Sequence, residues 1–286
     1  MDAKFWLLQV FNGISYGALL FLLGSGLSLI FGVMRIVNLA HGSYFLLGSY
    51  VGLTVIWTTG SWLLAIPVAA LAIAVVGLLV EQVFLRAVGS DPLRQVLLTF
   101  GFALLFQQAA LDIWGGNNLE INPPAMLTRS VVVAGLHLPV YRIFMLALAS
   151  AIGLALWLGL DRTRAGATVR ATVDDAQMAR GVGIDTSRVS MLIFALGALL
   201  AGLGGVIGGA FLGVYPGLDF DILPLAFAVV IIGGMGSLGG AAIGAVVVGL
   251  VDNFGKVLFP QISYFTLYAP LVLLLAAKPT GLFGRE

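Results

Sequence analysis

Charged side chains punctuate this chain at wide intervals, and the stretches between them are almost wholly apolar. About 20 apolar residues carry a helix across the hydrocarbon of a bilayer, so these intervals predict membrane segments. Residues 5–34 make one crossing, and residues 36–80 are long enough for two, with Thr58, Thr59, Gly60 and Ser61 as the turn between them. Residues 96–111 and 143–160 make compact crossings, 189–218 a generous one, and 257–277 closes the set. The interval 222–251 suits one tilted helix or two short ones, and the glycine-rich run 233–240 at its centre favours the broken form. The pattern predicts a single all-α polytopic membrane domain over residues 1–286, with about eight or nine segments, some broken or re-entrant.

Two stretches interrupt the apolar pattern. Residues 161–188 hold nine of the chain's 27 charged residues and cannot cross a bilayer. Within them, Thr172 and Asp175 have the spacing of a capping box, which predicts a helix of about two turns from Asp174 to Arg180 lying along the membrane face. Gly181 and Gly183 suit its end, and a plain solvated loop is the alternative reading. The other interruption, residues 112–140, contains Trp114, Asn122, Pro123 and Pro124 and reads as a loop. With the N-terminus outside and residues 222–251 crossing twice or re-entering, Arg35, Arg86, Arg94, Arg162, Arg164, Arg170, Arg180, Arg188, Lys278 and Arg285 gather on one face. Only Lys4, Arg129, Arg142 and Lys256 oppose them, so the positive-inside rule makes 161–188 a cytoplasmic loop and 112–140 the main external one.

Composition narrows the chemistry. With 60% hydrophobic and 9% charged residues and a mean hydropathy of +1.08, the chain leaves the soluble globular class and has membrane lipid as its surroundings. A net charge of +1 with scattered basic residues argues against nucleic acid as a partner. Without cysteine, and with only His41 and His137 as imidazoles, no metal site, cofactor or catalytic cluster is expected. A cleavable signal peptide is not expected, because the first apolar run is about twice the length of a signal core.

Some motif matches fail on context. Gly234, Gly236 and Gly239 fit the dinucleotide fingerprint but lack the strand and βαβ unit it requires. Gly13, Ser15 and Gly17 fit a nucleophile elbow inside an uninterrupted apolar run, where a small-residue packing face is the better reading. The pairs Gly48 and Gly52, Gly204 and Gly208, and Gly240 and Gly244 repeat that spacing, so a tightly packed bundle is expected. Gly255-Lys256 is followed by Val257, so the phosphate-loop pattern is absent and ATP hydrolysis is not expected here.

Polar side chains inside crossings face the bundle interior or a water-filled path. Gln9, Asn12 and Tyr16 share one face of the first helix, and Gln107 and Gln108 mark the fourth crossing. Each either fastens the bundle or lines a route through it. Asn38, His41 and Gly42 invite an unwound or re-entrant backbone after the first crossing, where Asn38 and His41 shape an inner gate or serve structure alone. Glu81, Arg86, Asp252 and Lys256 fall near crossing ends, where snorkelling explains them, and no acid is expected at mid-span. A largely apolar, undiscriminating passage follows.

The run 174–185, with Asp174, Asp175, Ala176, Ala179, Arg180, Gly183, Ile184 and Asp185, resembles the cytoplasmic loop of branched-chain amino-acid ABC importer permeases of the LivH type. Residues 26–42 resemble that family's N-terminal signature, 233–240 (with Gly234 and Gly236) its C-terminal one, and 278–284 its tail. The resemblance implies a permease subunit in the inner (cytoplasmic) membrane of a prokaryote. Its partners would be a second, homologous permease, two ABC ATPases and an extracytoplasmic solute-binding protein. ATP-driven closure of the ATPases would move the 174–180 helix, with those eight residues forming the coupling site and no covalent chemistry in this chain; the candidates to line its pathway are the polar positions read above, Gln9, Asn12, Tyr16, Asn38, His41, Gln107 and Gln108, with Gly234 and Gly236. Branched-chain amino acids are the implied cargo; similar permeases serve urea, amides or aromatic acids. A stand-alone secondary transporter or channel is the reading from another class.

Overall fold

The computed structural model describes residues 2–89, 91–278 and 281–283, so Pro279, Thr280 and Gly284 of the tail signature and Arg285 of the charge count lie outside the described residues. The chain opens with α1 (Ala3–Met34), whose 32 residues extend about 48 Å, well beyond the roughly 30 Å of a bilayer core. Its second half is buried almost all round, which makes α1 the axis of the bundle. After it come α2 (His41–Thr59) and α3 (Trp62–Leu79), separated by the expected turn, in which Gly60 takes a left-handed conformation and Ser61 caps α3. A π-helical turn at Val80–Leu85 and a short α4 (Arg86–Val88) extend α3. Asp91 caps α5 (Pro92–Trp114), and α6 (Val140–Arg162) returns alongside α1. Then come the short α7 (Arg164–Asp174) and α8 (Ala176–Gly181), followed by α9 (Thr186–Leu212), α10 (Leu218–Gly233), α11 (Leu238–Leu258) and α12 (Ser263–Ala277). Six of these segments are long and apolar enough to cross a membrane.

Close backbone approach holds the bundle together. All four expected glycine pairs lie in helix contacts. Gly13 and Gly17 face Leu250 and Ala245 of α11, Gly48 and Gly52 face Gly202 and Val206 of α9, Gly204 and Gly208 face Phe45 of α2, and Gly240 and Gly244 face Gly233 and Val229 of α10. These pairings run α11 antiparallel to α1 and α9 parallel to α2, and Gly26 against Gly197 with Leu19 against Gly208 runs α9 antiparallel to α1. The interval 222–251 takes the broken form, with α10 ending at Gly233 and α11 capped by Ser237.

Three expectations need correction. The fold is not purely α, because Ser130–Val133 and Leu136–Pro139 pair as an antiparallel hairpin within the 112–140 loop. Ala134 and Gly135, both at positive φ, form its turn, as tight hairpins of this twist require. Glu81 and Asp252 do not snorkel: they are 2% and 7% exposed and pair with Arg86 at 3.1 Å and Lys256 at 2.7 Å. Nor does Asp219 fall in a divide between the intervals 189–218 and 222–251: it is 2% exposed within the first turn of α10.

Candidate functional site

Between Met34 and His41 the chain leaves helical geometry and doubles back into the bundle. His41 Nε2 donates to the Leu23 carbonyl at 3.0 Å, and Leu23 precedes the end of α1 by eleven residues, or about 16 Å. Helix α2 therefore begins deep in the bundle. Asn38 accepts from the Ala40 amide at 3.1 Å, and Thr99 of α5 accepts from the Leu39 amide at 3.2 Å, so the re-entrant backbone is satisfied by protein. Gly42 lets the Asp219 carbonyl approach, and Ser43 Oγ donates to Asp219 Oδ2 at 2.8 Å. Asn38, His41, Ser43 and Asp219 are all buried, at the meeting of α2 with α10. His41 Nδ1 has no hydrogen-bond partner among the described residues. Replacing His41 by alanine removes a buried hydrogen bond and leaves a void, costing on the order of 2–4 kcal/mol. In an importer of the kind the sequence resembles, uptake and substrate-coupled ATP hydrolysis are both expected to fall. Wild-type values of both would leave the imidazole with a packing role alone.

Toward the opposite end of α1 lies a cavity of about 410 Å3 between α1, α10, α11 and α12. Tyr16, Tyr215, Asp221, Asp252, Lys256 and Tyr268 supply its polar lining, and Leu212, Ile222 and Leu225 part of its apolar wall. Lys256 Nζ lies 2.7 Å from Asp252 Oδ2 and 5.3 Å from the Tyr16 ring centroid. Tyr215 donates its hydroxyl to Asp221 Oδ2 at 2.8 Å. Gly217, at φ 104, caps a helix start from which Asp219 turns toward α2 and Asp221 toward the cavity.

The structure disperses the expected pathway residues. Tyr16 lines the cavity. Gln9 and Asn12, on the same helix face, are fasteners instead: Asn253 Nδ2 donates to the Gln9 carbonyl and to its Oε1, both at 3.0 Å, and Arg142 donates to Asn12 Oδ1 at 2.8 Å. Gln107 is partly buried near Gly217, whereas Gln108 points to the chain's outer surface and donates to Asp112 at 2.9 Å. Gly234 and Gly236 sit in the α10–α11 break, at φ 99 and 82. Gly236 packs against Gly32, and Leu282 and Phe283 strap the break by donating to the carbonyls of Ile232 and Gly233. Asp219, Asp221, Tyr215 and Tyr268 were not expected in a site. The two acids follow Gly217 and were read only as the divide between two apolar intervals.

The charged stretch forms two helices where one was expected. Thr172 is not a cap: it lies inside α7, and its hydroxyl donates to the Thr168 carbonyl at 2.9 Å. Asp175 breaks the chain with an extended backbone and accepts from the amides of Gln177 and Met178, at 2.8 and 2.9 Å, so α8 starts at Ala176. At the other end the amides of Gly183 and Ile184 return to the carbonyls of Arg180 and Ala179. With Gly183 at φ 88 this is a Schellman closure. Ala179 is buried at 3% and so cannot itself touch a partner as expected, and Ile184 packs against the buried cluster of Leu29, Val189, Ile193 and Leu200. Outward instead point Asp174, Gln177, Arg180 and the apolar Met178 and Val182, the last two 66% and 71% exposed.

The family profile described as "Branched-chain amino acid transport system / permease component" matches residues 9–276. The high-affinity branched-chain amino acid transport system permease protein LivH of Escherichia coli (strain K12) is 30% identical over 301 residues, covering 98% of this chain and 96% of that protein. Its Pseudomonas aeruginosa counterpart BraD is 27% identical over 297 residues, with the same coverage. The permease protein LivM of Salmonella typhimurium is 27% identical over 286 residues, covering 91% of this chain and 67% of that protein. No solved structure gives a significant match.

Proposed function

Because this chain belongs to the family of permease components of branched-chain amino acid transport systems, and is a multi-pass membrane protein, we propose that it carries branched-chain amino acids inward as the membrane subunit of an ATP-binding-cassette importer. Its surroundings are the inner membrane of a prokaryote. A homologous permease pairs with it, since relatives include both LivH and LivM. Two ATPases and an extracytoplasmic binding protein complete the assembly. Counting α2, α10 and α12 with the six long apolar segments gives nine membrane segments, and the positive-inside rule turns the α7–α8 end to the cytoplasm.

The observation that carries this reading is α8 itself. A six-residue helix is marginal alone, yet this one is capped by Asp175, closed at Gly183 and seated through Ala179. It presents Met178 and Val182 to the outside at an otherwise charged end of the bundle. Exposed apolar side chains within a polar rim mark protein contacts. Helix α9 follows after four residues and packs against α1, α2 and α3, so a push on α8 reaches the bundle axis. Reconstituted with its partner permease, ATPases and binding protein, the chain is expected to accumulate leucine only with ATP. Leucine transport by the purified chain alone in ATP-free liposomes would replace this reading with a self-sufficient transporter.

A further inference from the structure

We propose that the 410 Å3 cavity between α1, α10, α11 and α12 is a binding site for a zwitterionic aliphatic amino acid, with Asp221 receiving the ammonium and Lys256 the carboxylate. This rests on the permease reading and specifies what the membrane subunit itself recognises.

Charge balance is the first argument. Asp221, Asp252 and Lys256 line the cavity, two negative groups against one positive. Lys256 answers Asp252 at 2.7 Å, and among the described residues no cation lies within ion-pair distance of Asp221. The partner of Asp221 is the neutral Tyr215 hydroxyl, which orients the carboxylate without neutralising it. The Asp221 carboxylate is exposed, so it stands open to an arriving cation, and an ammonium supplies one.

An ammonium alone would leave the second feature unused. The Lys256 side chain is 58% exposed even though Asp252 beside it is buried, so ammonium hydrogens remain for an arriving carboxylate. The Tyr16 ring beneath Lys256 steadies the cation from below. The rest of the wall, Leu212, Leu218, Ile222, Pro224 and Leu225, is aliphatic and offers a long side chain only dispersion and desolvation. The volume lies within the roughly 300–1,000 Å3 of small-ligand sites. Neutral urea would leave both charges unanswered, and an anionic acid would answer only Lys256.

The test uses the assembled permease and ATPase complex in nanodiscs without binding protein, probed with radiolabelled leucine. Leucine is expected to bind saturably, while leucinamide, 4-methylvalerate and urea compete roughly tenfold or more weakly. Asp221→Asn and Lys256→Gln are expected to raise the transport KM for leucine by about tenfold or more with a smaller change in kcat, and Lys256→Arg to restore much of it. Co-purification of the ATPases verifies that each variant assembles, and the competition series on the wild-type complex decides independently of any variant. Equal competition by the four compounds, no saturable leucine binding, or an unchanged KM in both charge variants would overturn the proposal. If ATP-driven uptake persists alongside such a result, only the cavity assignment falls. If uptake proves independent of ATP, the permease reading falls with it.

Discussion

A variant carrying Met178→Asp together with Val182→Asp is expected to lose the proposed ATPase partners on purification, with uptake falling to background. Both side chains are exposed in the isolated chain, at 66% and 71%, so neither change disturbs the bundle. The cap at Asp175 and the closure through Gly183 and Ile184 remain intact, because they use backbone amides and a residue left unchanged. Each substitution instead puts a carboxylate where an apolar contact is proposed, and desolvating it there costs about 2 kcal/mol or more. Together the two costs amount to about 4 kcal/mol, roughly a thousandfold in affinity. Ala179→Glu reaches the same loss of uptake by another route. Its side chain points into the chain, so α8 must lift from its seat, and uptake is lost with the chain still inserted. Limited proteolysis separates the two: the Ala179 variant gains cleavage at 175–185, whereas the surface pair does not. Full ATPase recovery and normal uptake in the surface pair would remove α8 from the coupling role.

What could be read in advance follows from how strong each physical signal is in a membrane chain. The turn at Gly60 and Ser61 and the break at 233–237 were legible because uncharged intervals of known length leave few places for a helix to end, and glycine marks them. The glycine pairs were legible for the same reason: in lipid, close helix approach needs small residues at one-turn spacing. Side-chain direction was not. Gln9, Asn12 and Tyr16 share a face by periodicity, yet Asn253 and Arg142 arrive from distant segments and take the first two, leaving only Tyr16 to the cavity. The cap of α8 was misplaced by three residues because Thr172 and Asp175 both cap well, and only the fold decides that Thr172 stays within α7.

Acids were the costliest misreading. Treating charges as boundaries of crossings works for lipid-facing residues, but a buried acid with a partner obeys a different rule. Asp252 has Lys256, Glu81 has Arg86 and Asp219 has Ser43, each supplied by a neighbour whose proximity sequence spacing only partly reveals. Asp219 and Asp221 then diverge by facing opposite sides of one helical turn, one holding the re-entrant start of α2 and the other lining the cavity. Where an apolar lining was expected, the bundle thus holds a cavity with charged walls near its hairpin end.

The largest structural effect is expected where α2 and α9 touch backbone to backbone. At Gly48 an added Cβ would lie 2.5 Å from the Gly202 carbonyl oxygen and 2.6 Å from its Cα, and neither is the movable end of a side chain. The next residue, Ser49, donates its Oγ to the Gly205 carbonyl at 2.8 Å across the same seam. Gly48→Leu must therefore separate the two helices and break that bond as well as lose dispersion along the seam. Overpacking of ordinary side chains costs about 1–3 kcal/mol, and a clash against rigid backbone exceeds that range. Separation also matters because α9 leads from the Asp175-capped helix into the core, so a loosened seam disconnects α8 from the start of α2 at His41. Gly48→Leu is expected to leave little monodisperse protein after detergent extraction. Gly60→Leu serves as the comparison: no atom lies within 4 Å of its added Cβ, and its cost is confined to the positive φ of a turn. A Gly48 variant that extracts and melts like wild type would mean that the α2–α9 seam is not the tight contact on which the proposed transmission depends.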